Sequence, residues 1–210
     1  MAKFIVFEGI DGSGKSTHSK LFSEYLNQKS LNNIVTCEPT YGTIGTIIRS
    51  VFTGKSHAEH ATIANLFAAD RFEHIMNNHD GLLQYLAKGQ NVICDRYLLS
   101  SYAYQGSILN LKWIQQINAI NEATLWPDIT FYIDLNPEIA MQRILENRDS
   151  VELFETKEQL EKVYAHYDLA INDLSPDQKK SIIKINGNQS IEAIQADIQA
   201  QFELFNAITI

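Results

Sequence analysis

The stretch Gly9-Ile10-Asp11-Gly12-Ser13-Gly14-Lys15-Ser16 constrains this chain more than any other. It has the spacing G-x-x-x-x-G-K-[ST], follows the apolar run Phe4-Ile5-Val6-Phe7, and leads into an amphipathic segment that begins near Ser16. Strand, glycine-rich turn and helix in that order form a phosphate cradle. Glycine admits backbone conformations closed to other residues, so successive N–H groups can point inward at an anion. The start of the helix adds partial positive charge and unpaired amides. Lys15 can then reach the β- and γ-phosphates of a bound nucleoside triphosphate, and the Ser16 hydroxyl can ligate Mg²⁺. From average residue usage, a chance match in a chain of 210 residues has odds of about one in a hundred. The flanking strand and helix lower those odds further.

Composition narrows the partners. With 45% hydrophobic and 20% charged residues, the chain suits one globular α/β domain with a proper core. Its formal net charge of -8 argues against a nucleic-acid surface, which would carry a basic excess. It leaves room for a phosphorylated small molecule, which a few placed arginines can hold. No apolar run approaches the roughly 20 residues needed to cross a bilayer. Met1 runs directly into the first strand without the regions of a signal peptide, so a cytoplasmic location is expected. Cys37 and Cys94, at the ends of apparent strands, read as reduced, buried or semi-buried thiols of such a compartment. The six histidines form no cluster with metal-ligand spacing and read as surface residues.

Along the chain, strands and helices alternate. Strands are expected at Lys3–Glu8, Asn33–Cys37, Asn91–Asp95, Asp128–Leu135 and Ser181–Ile185. Helices are expected from Ser16 to about Ser30, Ile44 to Phe52, His57 to about Asn78, and His79 to Ala87. Others follow at Tyr97–Tyr104, Lys112–Ala123, Pro137 to about Glu146 and Thr156–Leu174. A closing helix carries Ile191, Ile194, Ile198, Phe202 and Phe205 on one face. Val92-Ile93-Cys94 is apolar on both faces, as a central parallel strand should be. The pattern predicts a five-stranded parallel sheet covered on both sides, with ligands at the carboxyl ends of its strands.

The residues that follow those strands are therefore the informative ones. The loop after the first strand carries Asp11, and the third strand ends in Asp95-Arg96-Tyr97. Beside a phosphate cradle, Asp95 suits a water-mediated or outer partner of Mg²⁺, and Arg96 suits a clamp on phosphate. No Asn-Lys-x-Asp run is present to read guanine, which points away from a regulatory switch and towards a kinase with a second, small substrate.

At this point the chain resembles the thymidylate kinase family. The resemblance is carried by Phe7 to Thr17, Glu38-Pro39-Thr40, Leu66-Phe67-Ala68-Ala69-Asp70-Arg71, Asp95-Arg96-Tyr97 and Ser101-Tyr102-Ala103-Tyr104-Gln105-Gly106, in order. Trp126 to Thr130 and the Arg148 to Tyr167 segment are similar too, so it covers nearly the whole chain. It implies a P-loop kinase fold with a short lid at about 147–153, transfer of phosphoryl from ATP to dTMP with Mg²⁺, and a homodimer built from helices.

The family also implies residue roles. Gly9, Gly12, Ser13, Gly14, Lys15, Ser16, Thr17 and Arg143 would bind ATP, with Ser16 and Asp95 at the metal. Phe67 would stack on thymine, and Arg71, one helical turn on, would bond the base carbonyl. Arg49 and Arg96 would grip the acceptor phosphate, and Tyr104 would crowd the place of a ribose 2′-hydroxyl. Ser101 and Gln105 would lie near the base edge, and Asp11 would orient the sugar 3′-hydroxyl. Lys15, Arg96, Arg148 and Asp11 form the catalytic set. Gly12 stands where an arginine can serve the transferred phosphoryl, so Arg148 of the lid must supply that charge. Cys37 replaces an arginine that many relatives place before the Glu-Pro pair, which removes one positive contact to the acceptor. Two other readings stay open: a P-loop kinase for another nucleoside or monophosphate, and a nucleotide-binding protein without turnover.

Overall fold

The computed structural model of the chain describes residues 2–147 and 156–208. The elements run β1 (Phe4–Glu8), α1 (Lys15–Gln28), β2 (Asn33–Cys37), α2 (Thr43–Phe52), α3 (His60–Met76), α4 (Leu82–Ala87), β3 (Asn91–Asp95) and α5 (Leu98–Tyr104). They continue with α6 (Leu111–Thr124), β4 (Ile129–Asp134), α7 (Pro137–Asn147), α8 (Lys157–Asp173), α9 (Pro176–Lys180), β5 (Ile182–Asn186) and α10 (Ile191–Ile208). The expected lid from 148 onward, with Arg148, lies outside the described residues.

The five strands form one parallel sheet in the order β2-β3-β1-β4-β5, with β1 in the middle. Its residues alternate faces, as strand geometry demands. Phe4 and Val6 join one core cluster, which also takes residues from α4, α5, α7 and α8. Ile5 and Phe7 join a second cluster with Phe22 and Leu26 of α1 and Ile194, Ile198 and Phe202 of α10. Both faces of β1 are thus dry, which is why its sequence reads as a continuous apolar run. The sheet carries the glycine loop out of its centre and delivers Asp95 and Arg96 beside it, since Phe7 and Asp95 are registered neighbours.

Departures from the expected boundaries have local causes. The third helix starts at His60, because Glu59 is extended, and stops at Met76. Asn77 Oδ1 then accepts the amides of His79 and Asp80, and this turn delays α4 to Leu82. Gly89, next to the C-cap residue of α4, is left-handed at φ 77° and ends that helix as expected. Helix α9 is absent from the expected elements, although Ser175, Pro176 and Gln178 spell a capping box with proline in the first turn.

The second cluster hangs on Phe22, whose ring contacts those of Phe7, Tyr25, Phe131 and Phe202 at centroid distances of 5.1–5.8 Å. Phe22→Ala should cost about 3–5 kcal/mol of stability. The check is a fall in the urea midpoint with an unchanged slope; a loss under 1 kcal/mol would contradict this packing.

Candidate active site

One cavity of about 960 Å³ opens at the carboxyl ends of β1 and β3. Lys15, Thr17 and Arg143 line it, and so do Arg49, Phe67 and Gln105. The remaining expected residues Asp11, Gly12, Gly14, Ser16, Arg71, Asp95, Arg96, Ser101 and Tyr104 share the same walls. Gly9 and Ser13 do not reach the cavity wall and lie buried behind the loop.

The loop holds its shape through residues that tolerate no side chain. Gly12 is left-handed at φ 79°, and a Cβ there would sit 2.5 Å from the Ala140 carbonyl oxygen and 3.1 Å from Ile144. Helix α7 therefore closes the position against arginine as well as alanine. Lys15, 5% exposed, donates to the Ile10 carbonyl at 2.8 Å. Burial, followed by the charge of Arg96, lowers its pKa to about 8, against the pull of Asp11, Asp95 and Glu8.

Ser16 Oγ donates to Asp95 Oδ2, and Asp95 Oδ1 is buried with no hydrogen-bond partner among the described residues. A hydroxyl and a carboxylate are hard oxygen donors, so these two residues fit Mg²⁺.

Arg96 links the two halves of the cavity. Its backbone is left-handed at φ 71°, a strained state for a side chain with a Cβ. The strain is held from both sides. Arg96 N donates to Phe7 O at 2.9 Å, and the next residue, Tyr97, donates its amide to Glu8 Oε1 at 2.9 Å. Glu8 is fully buried and also accepts from the Ser100 amide and hydroxyl, so a carboxylate from β1 caps the start of α5. Burial raises its pKa, and the bonds from Ser100 and Tyr97 pull the other way. The Arg96 guanidinium then pairs with Asp11 and lies 4.9 Å over the Tyr104 ring. Tyr104 donates to Asp11 Oδ2 at 2.8 Å and accepts from the Asp11 amide at 2.9 Å. Burial pushes the Tyr104 hydroxyl far above its usual range, so it is a neutral donor.

A second buried acid fixes the other wall. Glu38 accepts from Arg71 Nε at 2.8 Å, with both side chains at most 2% exposed. Arg71 also donates to Asn118 Oδ1, to Tyr97 O at 3.0 Å and to Ser101 Oγ at 3.0 Å. Among the described residues four of its five N–H groups are so engaged, which leaves one on Nη1. Asp70, the preceding residue, accepts the amide and hydroxyl of Thr40 at 2.7 and 2.6 Å and fixes the loop after β2. Arg49 donates to Pro39 O, lies 4.3 Å from the Tyr41 ring centre, and brings Nη2 within 3.6 Å of Cys37 Sγ. The small thiol thus leaves room for a guanidinium beside it. Arg49 Nε and Gln105 Oε1 are buried in this wall with no hydrogen-bond partner among the described residues.

Two histidines correct the reading of all six as surface groups. His74 is wedged between Thr36 Oγ1 at 2.8 Å and Glu38 Oε1 at 3.1 Å. His18, 2% exposed, lines the cavity beside Arg143, whose Nη2 donates to Gly187 O at 3.1 Å. Gln195 Nε2 donates to His18 O at 3.1 Å and faces Nδ1 at 2.9 Å. A carbonyl oxygen only accepts, so the amide nitrogen is fixed as the donor, Nδ1 is the acceptor, and the ring proton sits on Nε2. Burial, aided by Arg143, lowers the His18 pKa to about 4. Sequence reasoning also missed Glu8, Glu38, Asn118 and Tyr167, whose partners are far away in the chain.

Fold and site together define a phosphotransferase of the P-loop kind, with a phosphate cradle and an arginine-lined second pocket in one cavity. A family model described as thymidylate kinase matches residues 7–198. A probable thymidylate kinase of Methanococcus aeolicus is 44% identical over 199 residues, 94% of either chain. The thymidylate kinase of Leptospira borgpetersenii is 36% identical over 203 residues, 96% of this chain and 92% of its own. That of an Exiguobacterium species is 38% identical over 202 residues, 93% and 91% of the two chains. The chain belongs to the thymidylate kinase family.

The Lys15 pKa of about 8 sets a pH dependence. Below it the ammonium is charged and attracts phosphate; above it the amine is neutral and that attraction is lost. A nucleoside triphosphate should bind about tenfold more weakly at pH 9 than at pH 7. Calorimetric titration measures this, and a flat profile would remove the Lys15 ammonium from the cradle.

Proposed function

We propose that the protein transfers the γ-phosphoryl group of ATP to dTMP, giving dTDP and ADP. The observation that carries this reading is the Asp11–Arg96–Tyr104 cluster, which joins the phosphate loop to a pocket lined by Phe67, Arg71 and Gln105. In this reading the loop amides and Lys15 hold the donor phosphates, with Thr17 and Arg143 beside them. Arg49 and Arg96 grip the acceptor phosphate, and Asp11 orients the sugar 3′-hydroxyl. Phe67 stacks on the base, while Arg71, Ser101 and Gln105 face its polar edge. Mg²⁺, which Ser16 and Asp95 would hold, supplies charge neutralisation at the donor phosphates when bound.

Little covalent work falls to the chain. Lys15 and Arg96 stabilise charge on the transferred group, and Arg148 is assigned the share that Gly12 cannot take. Aligning the two substrates accounts for the remainder. We further assign the protein to the cytoplasm and to a homodimer; Ile47 of α2, Met76 of α3 and Ile120 of α6 are exposed apolar groups consistent with the latter. No helix among the described residues is long and apolar enough to cross a membrane.

A panel of nucleosides and monophosphates in a coupled ADP-release assay tests the reaction. dTMP should be the preferred acceptor, and preference for dCMP or thymidine would overturn the assignment. Binding of ATP and dTMP without turnover would instead leave a nucleotide-binding protein. Lys15→Ala should lower kcat by a factor of at least about 10³ with an unchanged circular-dichroism spectrum. Tyr104→Ala should relax the preference for dTMP over the ribonucleotide UMP, and unchanged selectivity would remove Tyr104 from that role.

A further inference from the structure

We propose that Tyr167 is a positioning residue whose hydroxyl locks the phosphate loop to the turn that carries Arg96. The proposal rests on the phosphotransfer reading above. Tyr167 sits on α8, fully buried, with its ring stacked on Tyr132 at 5.0 Å and edge-on to Tyr104 at 6.4 Å. Its hydroxyl accepts the Gly9 amide at 3.3 Å and lies 3.0 Å from Gly9 O, from Glu8 Oε2 and from Ser100 Oγ.

A phenol has one proton and two lone pairs, so four neighbours over-fill it. The Gly9 amide can only donate and takes one lone pair. The phenolic proton turns to the Glu8 carboxylate, a charge-assisted bond that outweighs a carbonyl. Ser100 in turn spends its own proton on Glu8 Oε2 at 2.6 Å. Burial holds the Tyr167 hydroxyl well above its usual pKa, so it keeps the proton this arrangement needs.

The consequence is geometric. Gly9 begins the loop that cradles the donor, and Glu8 fixes Tyr97 and Ser100, which hold Arg96 in its left-handed state. One hydroxyl therefore bolts the donor loop to the acceptor arginine, although it touches neither substrate pocket. Transfer between two phosphates depends on sub-ångström placement, so loss of the bolt lowers the rate more than it weakens binding.

Tyr167→Phe keeps the ring and its packing and removes only the hydroxyl. The expected result is a fall in kcat of about tenfold or more, with KM for ATP and dTMP each within threefold of the wild type. Amide exchange should quicken in residues 7–14 and 96–100 and stay unchanged in α10. A kcat within twofold of the wild type, or exchange that quickens evenly along the chain, overturns the proposal. The wild type offers a test that needs no variant. By NMR its Gly9 amide should exchange as slowly as the β1 core, and exchange at the rate of an open loop overturns the proposal equally. If the wild type shows no ADP release with any acceptor, the kinase reading fails on its own, and the exchange measurements still decide the role of Tyr167.

Discussion

A carboxylate with no access to water must be surrounded by donors, and Glu8 is placed at the one point where that demand organises the site. It takes two amides and two hydroxyls, from Tyr97 at the start of α5, from Ser100 within it and from Tyr167 of α8. Each carboxylate oxygen takes two of them, so removing one strips a bond from a buried charge that water does not replace, at a cost of about 1–3 kcal/mol. The acid thereby fixes where α5 starts and how the chain turns before it. Arg96 is the residue at that turn, and its strained backbone persists because its neighbours are pinned on both sides.

Glu38 does for Arg71 what Glu8 does for Arg96, but by a different route. Arg71 and Glu38 are buried as an ion pair, and breaking such a pair costs about 3–5 kcal/mol because a charge is left stranded. Asp11 and Arg96 are partly exposed, at 16% and 21%, so their pair is weaker and more easily exchanged for another partner. The contrast sorts the two arginines. Arg71 is a fixed part of the wall, while Arg96 has a fixed backbone and, in the reading proposed above, a side chain that trades Asp11 for a phosphate.

The sheet was legible because its signal is local. Strands β2 and β3 have the expected bounds, since an apolar run between turn residues needs no distant partner to define it. The cavity was legible because a parallel sheet presents strand ends to one side, and most expected residues do line it. What escaped depends on contacts across the chain. Glu8 reads as the end of a strand until Tyr97, 89 positions away, comes to bond it. His18 reads as an exposed first-turn residue until Gln195, 177 positions away, covers it. Tyr167 meets Gly9 across 158 positions, a distance no periodicity spans.

Gly12 shows how the fold constrains the chemistry that a loop residue alone leaves open. As sequence, it marks the absence of an arginine. In three dimensions the position is closed, because the Ala140 carbonyl of α7 stands 2.5 Å from where a Cβ would be. Adding arginine at 12 would push the loop off α7, so the missing charge cannot be restored there without remodelling the cradle. The same helix ends at Asn147, and Arg148 follows it directly in the chain. The element that shuts the loop to a cation therefore leads to the residue proposed to supply one. Packing α7 tightly against Gly12 and assigning the charge to Arg148 are then two sides of a single choice. The cradle gains a rigid back wall at Gly12, and the proposed reading leaves the missing charge to Arg148.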